Sequence, residues 1–273
     1  MRDLSAALQQ RRAQHLYRRR ATVETPQGVR LRIDGQDCVS FCSNDYLGLA
    51  NHPEVVRAFQ EGVERFGVGS GAAHLITGHG YAHQALEEDL AAFTGRPRAL
   101  LFSTGYQANL GVLAALAGRG DRVFEDRLNH ASLLDGARLA GARLLRYRHR
   151  DAAALQARLE SAGSGGERVI ATDAVFSMDG DQADLAALYR LAQQYEAWLL
   201  VDDAHGFGVL GEGGRGAFVD QLPGAGDTAV LMATLGKACG TFGAFVAGGE
   251  ALVETLIQEA RTYIYTTAPP PAL

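Results

Sequence analysis

The feature that most constrains the fold is an alternation of short apolar segments with longer amphipathic segments from residue 81 onward. The apolar segments carry few polar interruptions, which is typical of strands buried on both faces of a sheet. The segments between them have helical periodicity. The pattern therefore predicts an α/β fold with a mainly parallel sheet covered by helices. The predicted strands are 99–102, 122–125, 144–147, 169–172, 198–201 and 229–233, and the predicted helices are 83–93, 106–116, 131–139, 152–159 and 185–195.

The first part of the chain has a different pattern. Two short apolar runs flank the pair Asp34-Gly35, which favours a hairpin turn. Pro53 is expected to open a helix that ends near Phe66. The predicted hairpin strands are 29–33 and 38–41, and the predicted division of the chain is an N-terminal arm with short strands over 1–50 and a large domain over 51–273.

Composition argues against several classes of function. The chain has 26 basic and 31 acidic residues and a formal net charge of −5, so it lacks the basic excess typical of nucleic-acid binding. No apolar run approaches the ~18 residues needed to cross a bilayer, and no membrane association is expected. The three cysteines form no C-x-x-C pair and the eight histidines show no ligand spacing, which argues against a disulfide framework and a metal site. These features favour a cytoplasmic protein.

A glycine motif at residues 206–211 matches the G-x-G-x-x-G pattern of dinucleotide-binding turns and follows a predicted strand. In such turns a helix begins within the motif and carries the pyrophosphate at its N-terminus. Here the chain continues as Glu212-Gly213-Gly214-Arg215-Gly216, a sequence that disfavours a helix. A nicotinamide or flavin site is therefore not expected.

Lys237 is the only lysine among the 26 basic residues. Arginine can supply positive charge elsewhere, but its guanidinium is not deprotonated in proteins and cannot act as an amine nucleophile. Lys237 follows the predicted strand 229–233, and Gly236 beside it leaves room around the amine. These features indicate a lysine that forms a Schiff base with an aldehyde cofactor.

The residues after other predicted strands supply what pyridoxal phosphate would need besides that lysine. Asp202, at the end of its strand, is placed to pair with the ring nitrogen, whereas Asp203 should face the other way. The turn 103–106 opens a predicted helix and offers backbone N–H groups for the phosphate. His130 and His205 also follow strands, at the edge where the cofactor would lie. The sequence therefore predicts a pyridoxal-phosphate site.

Five motifs spread over most of the chain support this interpretation. They are Ser43-Asn44-Asp45-Tyr46-Leu47-Gly48-Leu49, Arg127-Leu128-Asn129-His130-Ala131-Ser132, Val175-Phe176-Ser177-Met178-Asp179-Gly180-Asp181, Val201-Asp202-Asp203-Ala204-His205-Gly206 and Thr234-Leu235-Gly236-Lys237. With these motifs the chain resembles the α-oxoamine synthase family, pyridoxal-phosphate enzymes of fold type I with an aspartate aminotransferase-like large domain. The family continues into a smaller C-terminal domain, which is expected to be absent from a chain that stops at Leu273.

The resemblance implies a role for each matching residue. The implied catalytic residues are Lys237, Asp202, His130 and His205, with Lys237 as the lysine that forms the Schiff base. The implied cofactor contacts also include Gly105, Tyr106, Ser177, Thr234 and Thr267. The implied substrate contacts are Arg18, Asn44 and His130. Thr266 and Thr267 match a segment that lends a hydroxyl to the phosphate of a partner subunit, which implies a homodimer with shared active sites. The resemblance implies no metal.

The implied activity is a decarboxylative condensation of L-alanine with a pimeloyl thioester, carried by coenzyme A or by acyl carrier protein, in biotin biosynthesis. Three alternatives stay open: another member of the family, such as a glycine C-acetyltransferase; an aminotransferase or lyase, which would consume no thioester; and a non-catalytic fragment that binds the cofactor. The choice among members of the family rests on resemblance, because they share the chemistry.

Overall fold

The computed structural model describes residues 3–163 and 165–273, so residues 1 and 2 of the predicted arm lie outside the described residues. The chain forms two compact units, Met1–Ser43 and Asn44–Leu273. The division at residue 50 stays a prediction.

The first unit contains helix α1 (Leu4–Ala13) and an antiparallel hairpin of strands β1 (Arg30–Ile33) and β2 (Gln36–Val39). The predicted turn at Asp34-Gly35 is confirmed: both residues have positive φ, +48° and +78°, as a tight two-residue hairpin turn requires. The second strand begins at Gln36 rather than at residue 38, because so short a turn pairs Gln36 directly with Ile33.

The second unit is built on a mainly parallel sheet, as predicted. Its strands are β3 (Arg98–Phe102), β4 (Arg122–Asp126), β5 (Arg143–Tyr147), β6 (Arg168–Asp173), β7 (Trp198–Asp202), β8 (Ala229–Thr234) and β9 (Ala244–Gly248). Within the described residues these seven strands form one sheet in the order β3-β9-β8-β7-β6-β4-β5. Only β9 runs antiparallel to its neighbours, β3 and β8. Strand β9 was not predicted.

Helices cover both faces of this sheet. They are α3 (Tyr81–Thr94), α4 (Gly105–Leu116), α5 (Ala131–Ala140), α6 (Ala152–Ser161), α7 (Leu185–Gln194), α8 (Ala217–Gln221), α9 (Glu250–Glu259) and α10 (Arg261–Ile264). Helix α2 (Pro53–Phe66) precedes them and contains no buried residue. Side chains alternate between two apolar layers along the central strands: Leu199 and Val201 lie in one layer and Leu200 in the other. This burial on both faces explains why the strands read as unbroken apolar runs.

The carboxyl ends of the parallel strands meet at one edge of the sheet. Strand β6 ends at Asp173, β7 at Asp202 and β8 at Thr234, so polar side chains collect where the apolar core stops. In open α/β sheets this edge is where ligands bind. In the part of the chain that the structure describes, no helix is long and apolar enough to cross a membrane.

Candidate active site

A cavity of about 200 Å³ opens at the carboxyl edge of the sheet. Eight of the predicted site residues line it: Gly105, Tyr106, His130, Ser177, Asp202, His205, Thr234 and Lys237. Four other residues, Ser132, Asp173, Ala204 and Met232, line it as well. The structure thus gathers at one place residues from the ends of β3, β4, β6, β7 and β8, which is the arrangement that the parallel topology predicts.

Lys237 lies in the turn that follows β8, and its half-buried side chain lines the cavity. Its Nζ atom is 2.9 Å from Nε2 of His205. Burial lowers the pKa of the Lys237 amine, and the negative charges of Asp202 and Asp173 oppose that shift. A lowered pKa increases the fraction of neutral amine, which is the form that attacks an aldehyde.

Asp202 ends β7 and is buried beneath the cavity. Its Oδ2 atom accepts a hydrogen bond from Asn109 Nδ2 at 2.7 Å, and its Oδ1 atom accepts one from the backbone N–H of Ala204 at 3.1 Å. Burial raises the pKa of this carboxyl group above its ordinary value. A cation placed against Asp202 would restore its charged form, so the site favours a protonated ring nitrogen there.

Asp203 faces the opposite side of the sheet, as predicted. Its Oδ2 atom accepts a hydrogen bond from the backbone N–H of Phe218 at 2.9 Å, at the start of α8. Burial raises the pKa of Asp203 to about 7. The two adjacent carboxyl groups therefore differ in environment: Asp202 faces the cavity, and Asp203 anchors a helix on the other face.

Asp173 is a buried carboxyl group that sequence reasoning did not assign to the site. It lies beside Asp202 in the register of β6 and β7, and it accepts a hydrogen bond from the backbone N–H of His130 at 3.1 Å. Burial, and next the charge of Asp202, raise the pKa of Asp173 to about 8. Two carboxyl groups this close favour a bound cation between or above them. The sequence contained a signal for Asp173, because it directly follows a predicted strand, as Asp202 does.

Asn109 was also missed. It lies on α4 and its Nδ2 group donates to both Asp202 Oδ2 and Ser132 Oγ, at 2.7 and 2.8 Å. Ser132 Oγ is in turn 2.7 Å from His130 Nδ1. Asn109 therefore links the carboxylate under the cavity to the histidine at its rim. An asparagine in the largely apolar stretch 108–116 is the signal that could have found it, because a buried amide needs hydrogen-bond partners.

The predicted anion site lies at the N-terminus of α4. The helix begins at Gly105, and the Thr104 side chain caps it by accepting a hydrogen bond from the Gln107 N–H. A Cβ atom at Gly105 would lie 3.4 Å from Met232 Sδ, at contact distance, so the lack of a side chain at Gly105 leaves more space in this corner of the cavity. Thr234 lies at the same cavity, but its hydroxyl donates to the Gly243 carbonyl at 2.9 Å and would have to rotate to donate to a phosphate.

His205 connects the cavity to the segment that contains Asn44. Tyr46 Oη is 2.6 Å from His205 Nδ1, and the Tyr46 hydroxyl donates to Asn44 Oδ1 at 3.3 Å. Burial, followed by the positive charges of Lys237 and His130, lowers the pKa of His205 to about 4. His205 is therefore neutral near pH 7.

Three predicted site residues, Arg18, Asn44 and Thr267, are not among the described residues that line the cavity. Arg18 belongs to the first unit, and its substrate contact stays a prediction. Thr267 pairs with Ala73 in an isolated β-bridge and is not among the described residues that line the cavity with Lys237. Among the residues that the structure describes, no cluster of histidine, cysteine or acidic side chains could hold a metal ion.

Gly240 allows the turn after Lys237 to approach the segment that carries Tyr46. Its φ is +68°, and a Cβ atom there would lie 2.4 Å from Ala50 N and 2.8 Å from Leu49 Cβ. We expect Gly240→Ala to lower the free energy of unfolding by about 1–3 kcal/mol more than the cost of positive φ alone, because the backbone must move. Chemical denaturation measures this.

Gly95→Ala is the matched control for that substitution, because Gly95 has a φ of +66° and open space around the added Cβ atom. Its expected cost is about 1–2 kcal/mol, the cost of left-handed backbone for a residue with a side chain. Equal losses for both variants would show that the close approach at Gly240 contributes nothing to stability.

Comparison with known proteins identifies the family. The sequence pattern of the aminotransferase class I and II family matches residues 36–273. The 8-amino-7-oxononanoate synthase of Nitrosococcus oceani is 64% identical over 266 residues, which cover 97% of this chain and 70% of that protein. Among solved structures, serine palmitoyltransferase of Sphingomonas wittichii superposes with a TM-score of 0.90 at 31% identity, covering 99% of this chain and 68% of that one. The 8-amino-7-oxononanoate synthase of Francisella tularensis superposes with a TM-score of 0.71 at 36% identity, covering 85% of this chain and 64% of that one. The chain belongs to the aminotransferase class I and II family.

Proposed function

We infer that this chain is a pyridoxal-phosphate-dependent acyltransferase that condenses L-alanine with a pimeloyl thioester. The products are 8-amino-7-oxononanoate, CO₂ and the free thiol, a reaction of biotin biosynthesis. Relatives 64% and 60% identical over nearly the whole chain bear the name 8-amino-7-oxononanoate synthase. The observation that carries the inference is that Lys237 and the buried carboxyl group of Asp202 line one cavity.

The donor set fits pyridoxal phosphate. The amine of Lys237 suits the cofactor aldehyde, and the buried carboxyl groups of Asp202 and Asp173 suit a cationic ring nitrogen. The corner left open at Gly105, beside the N-terminus of α4, suits a phosphate. When bound, pyridoxal phosphate supplies an aldehyde that condenses with amines and a ring that accepts the electron pair of an adjacent carbanion.

Each side chain then has a distinct task. Lys237 would hold the cofactor through its amine, and the same amine would take up the proton of the alanine Cα and return one. Asp202 would keep a ring nitrogen protonated, and Asn109 holds that carboxyl group in place through its 2.7 Å hydrogen bond. His130, whose Nδ1 atom is 2.7 Å from Ser132 Oγ, would contact the ring. Ser177 and His205 would bind the ring hydroxyl.

The assembly and the compartment are part of this proposal. We propose a homodimer in which Thr267 contributes to the phosphate site of the partner; the supporting observation is that Thr267 is not among the described residues that line the cavity with Lys237 in its own chain. We propose the cytoplasm as the compartment, in keeping with three free cysteines. Arg18 and Asn44 are the proposed substrate contacts. Either coenzyme A or acyl carrier protein would present the pimeloyl group.

The test is an assay of the purified chain with pyridoxal phosphate, L-alanine and pimeloyl-coenzyme A or pimeloyl-acyl carrier protein. We expect release of one thiol and one CO₂ for each amino-ketone formed, with little turnover when glycine and acetyl-coenzyme A replace the substrates. Amino-group transfer to a 2-oxo acid without thiol release would contradict the proposal. A preference for glycine and acetyl-coenzyme A would instead assign the chain to another reaction of the same kind.

A further inference from the structure

His205 makes two close contacts at the site, one on each ring nitrogen. The imidazole of His205 lies between two groups: Nε2 is 2.9 Å from Lys237 Nζ, and Nδ1 is 2.6 Å from Tyr46 Oη. Tyr46 is therefore one side chain removed from the lysine. It is 43% exposed, so it also connects this buried pair with solvent.

The backbone around Tyr46 is held in place by two independent features. Asp45 Oδ1 accepts hydrogen bonds from the N–H groups of Leu49 and Ala50, at 2.9 and 3.2 Å, which closes the segment into a turn. The same segment packs against Gly240, in the turn that follows Lys237, so closely that no side chain fits there. Tyr46 is thus fixed relative to the backbone that carries the lysine.

Asn44, Tyr46, His205 and Lys237 are linked in series by hydrogen bonds, and the donor and acceptor roles at Tyr46 affect those at the next groups. The Tyr46 hydroxyl can donate its proton to Asn44 Oδ1, at 3.3 Å, and in that arrangement its oxygen accepts the proton on His205 Nδ1, 2.6 Å away. A neutral imidazole carries one proton, and a proton on Nδ1 leaves a lone pair on Nε2. That lone pair faces the Lys237 amine, which can donate to it.

The charged groups around Lys237 and His205 are consistent with a neutral imidazole at His205. Lys237 faces His205, Asp202 from β7 and Asp173 from β6, and His205 faces Lys237 and His130. Among the described residues, no carboxylate hydrogen-bonds to His205 to hold a second proton on the ring. Tyr46 is then the partner that decides which ring nitrogen carries the single proton.

We propose that Tyr46 is a positioning residue that acts through His205: by accepting the Nδ1 proton it keeps Nε2 as a hydrogen-bond acceptor for the amine of Lys237. In the proposed reaction Lys237 must take up and return a proton. An acceptor at Nε2 stabilises the protonated amine, whereas a proton on Nε2 would oppose it. The catalytic role given to this contact rests on the proposed function, whereas the hydrogen-bond arrangement does not depend on it.

The tautomer of His205 is the first readout. The full chain, labelled with ¹⁵N-histidine, is examined by NMR, and the His205 signals are assigned by comparison with His205→Gln. We expect an unprotonated Nε2 and a protonated Nδ1 in the wild-type chain, and a shift of the proton toward Nε2 in Tyr46→Phe. The control is Tyr189→Phe, which removes a hydroxyl that accepts a hydrogen bond from Gly226 at a distant site. That variant should leave the His205 signals unchanged.

The pKa of Lys237 is the second readout, and the sequence makes it accessible because Lys237 is the only lysine. The rate of amine labelling at Lys237 is followed against pH by mass spectrometry, which separates it from the N-terminal amine. Loss of one hydrogen bond to a charged group should lower the pKa of Lys237 by about one unit in Tyr46→Phe. It should not change in Tyr189→Phe.

A wild-type Nε2 that carries the proton would overturn the proposal, and this measurement requires no variant to fold. Unchanged His205 signals and an unchanged Lys237 pKa in a folded Tyr46→Phe chain would also overturn it. Neither readout uses substrates, so a failed condensation assay would disprove the proposed function and leave this result standing.

Discussion

Lys237→Arg is expected to abolish covalent binding of pyridoxal phosphate. The substitution keeps the positive charge in the turn after β8, but a guanidinium forms no imine with an aldehyde and cannot remove a proton. We expect the visible absorbance band of the bound cofactor to disappear. The rate of condensation should fall by about 10²–10⁴-fold from the loss of proton transfer alone.

Borohydride reduction gives the sharpest readout of this prediction. Reduction of the wild-type protein with its cofactor should label one peptide, that of Lys237, because the chain has no other lysine. The control is the double variant Lys237→Arg with Arg57→Lys, which returns a lysine to the exposed surface of α2. It should remain unlabelled and inactive. A labelled peptide in either variant, or a persistent absorbance band in Lys237→Arg, would contradict the role given to Lys237.

The sequence alone predicts where the site lies, because the residues with the required chemistry follow apolar strands and the parallel sheet brings the ends of those strands together. Lys237 and Asp202 each follow an apolar strand, and a parallel sheet brings such strand ends to one edge, so their meeting follows from the alternation of strands and helices. The rarity of lysine in this chain adds a chemical argument that does not depend on the fold. Both residues line the same cavity in the structure.

Other parts of the site could not be predicted because they depend on contacts between distant residues. Tyr46 and His205 are separated by 159 positions, and no periodicity records that they touch. Asn109 acquires its function only when α4 packs over Asp202. Strand β9 was missed because it is a five-residue apolar run after a glycine-rich turn, and its antiparallel direction interrupts the pattern of alternating strands and helices.

Asp202→Asn is expected to reduce the rate of condensation by about 10²–10³-fold, the usual effect of removing one preorganised charged group from an active site. Asparagine has nearly the same shape and can still accept the hydrogen bond from Asn109, although it cannot also accept the one from the Ala204 N–H. It has no negative charge with which to keep the ring nitrogen protonated. The cofactor should remain attached to Lys237, so absorbance should persist while kcat falls. This combination separates Asp202 from Lys237, whose loss should remove both.

The chain offers a closely matched control in Asp203→Asn. Asp203 is adjacent and equally buried, but it faces the other side of the sheet and accepts a hydrogen bond from Phe218. Its substitution should lower the free energy of unfolding by about 1 kcal/mol through a weaker hydrogen bond and change kcat little. Steady-state kinetics and denaturation of the two variants decide the matter. A similar loss of kcat in both would mean that the loss does not depend on which carboxyl group faces the cavity, and the assignment of the ring nitrogen to Asp202 would fail.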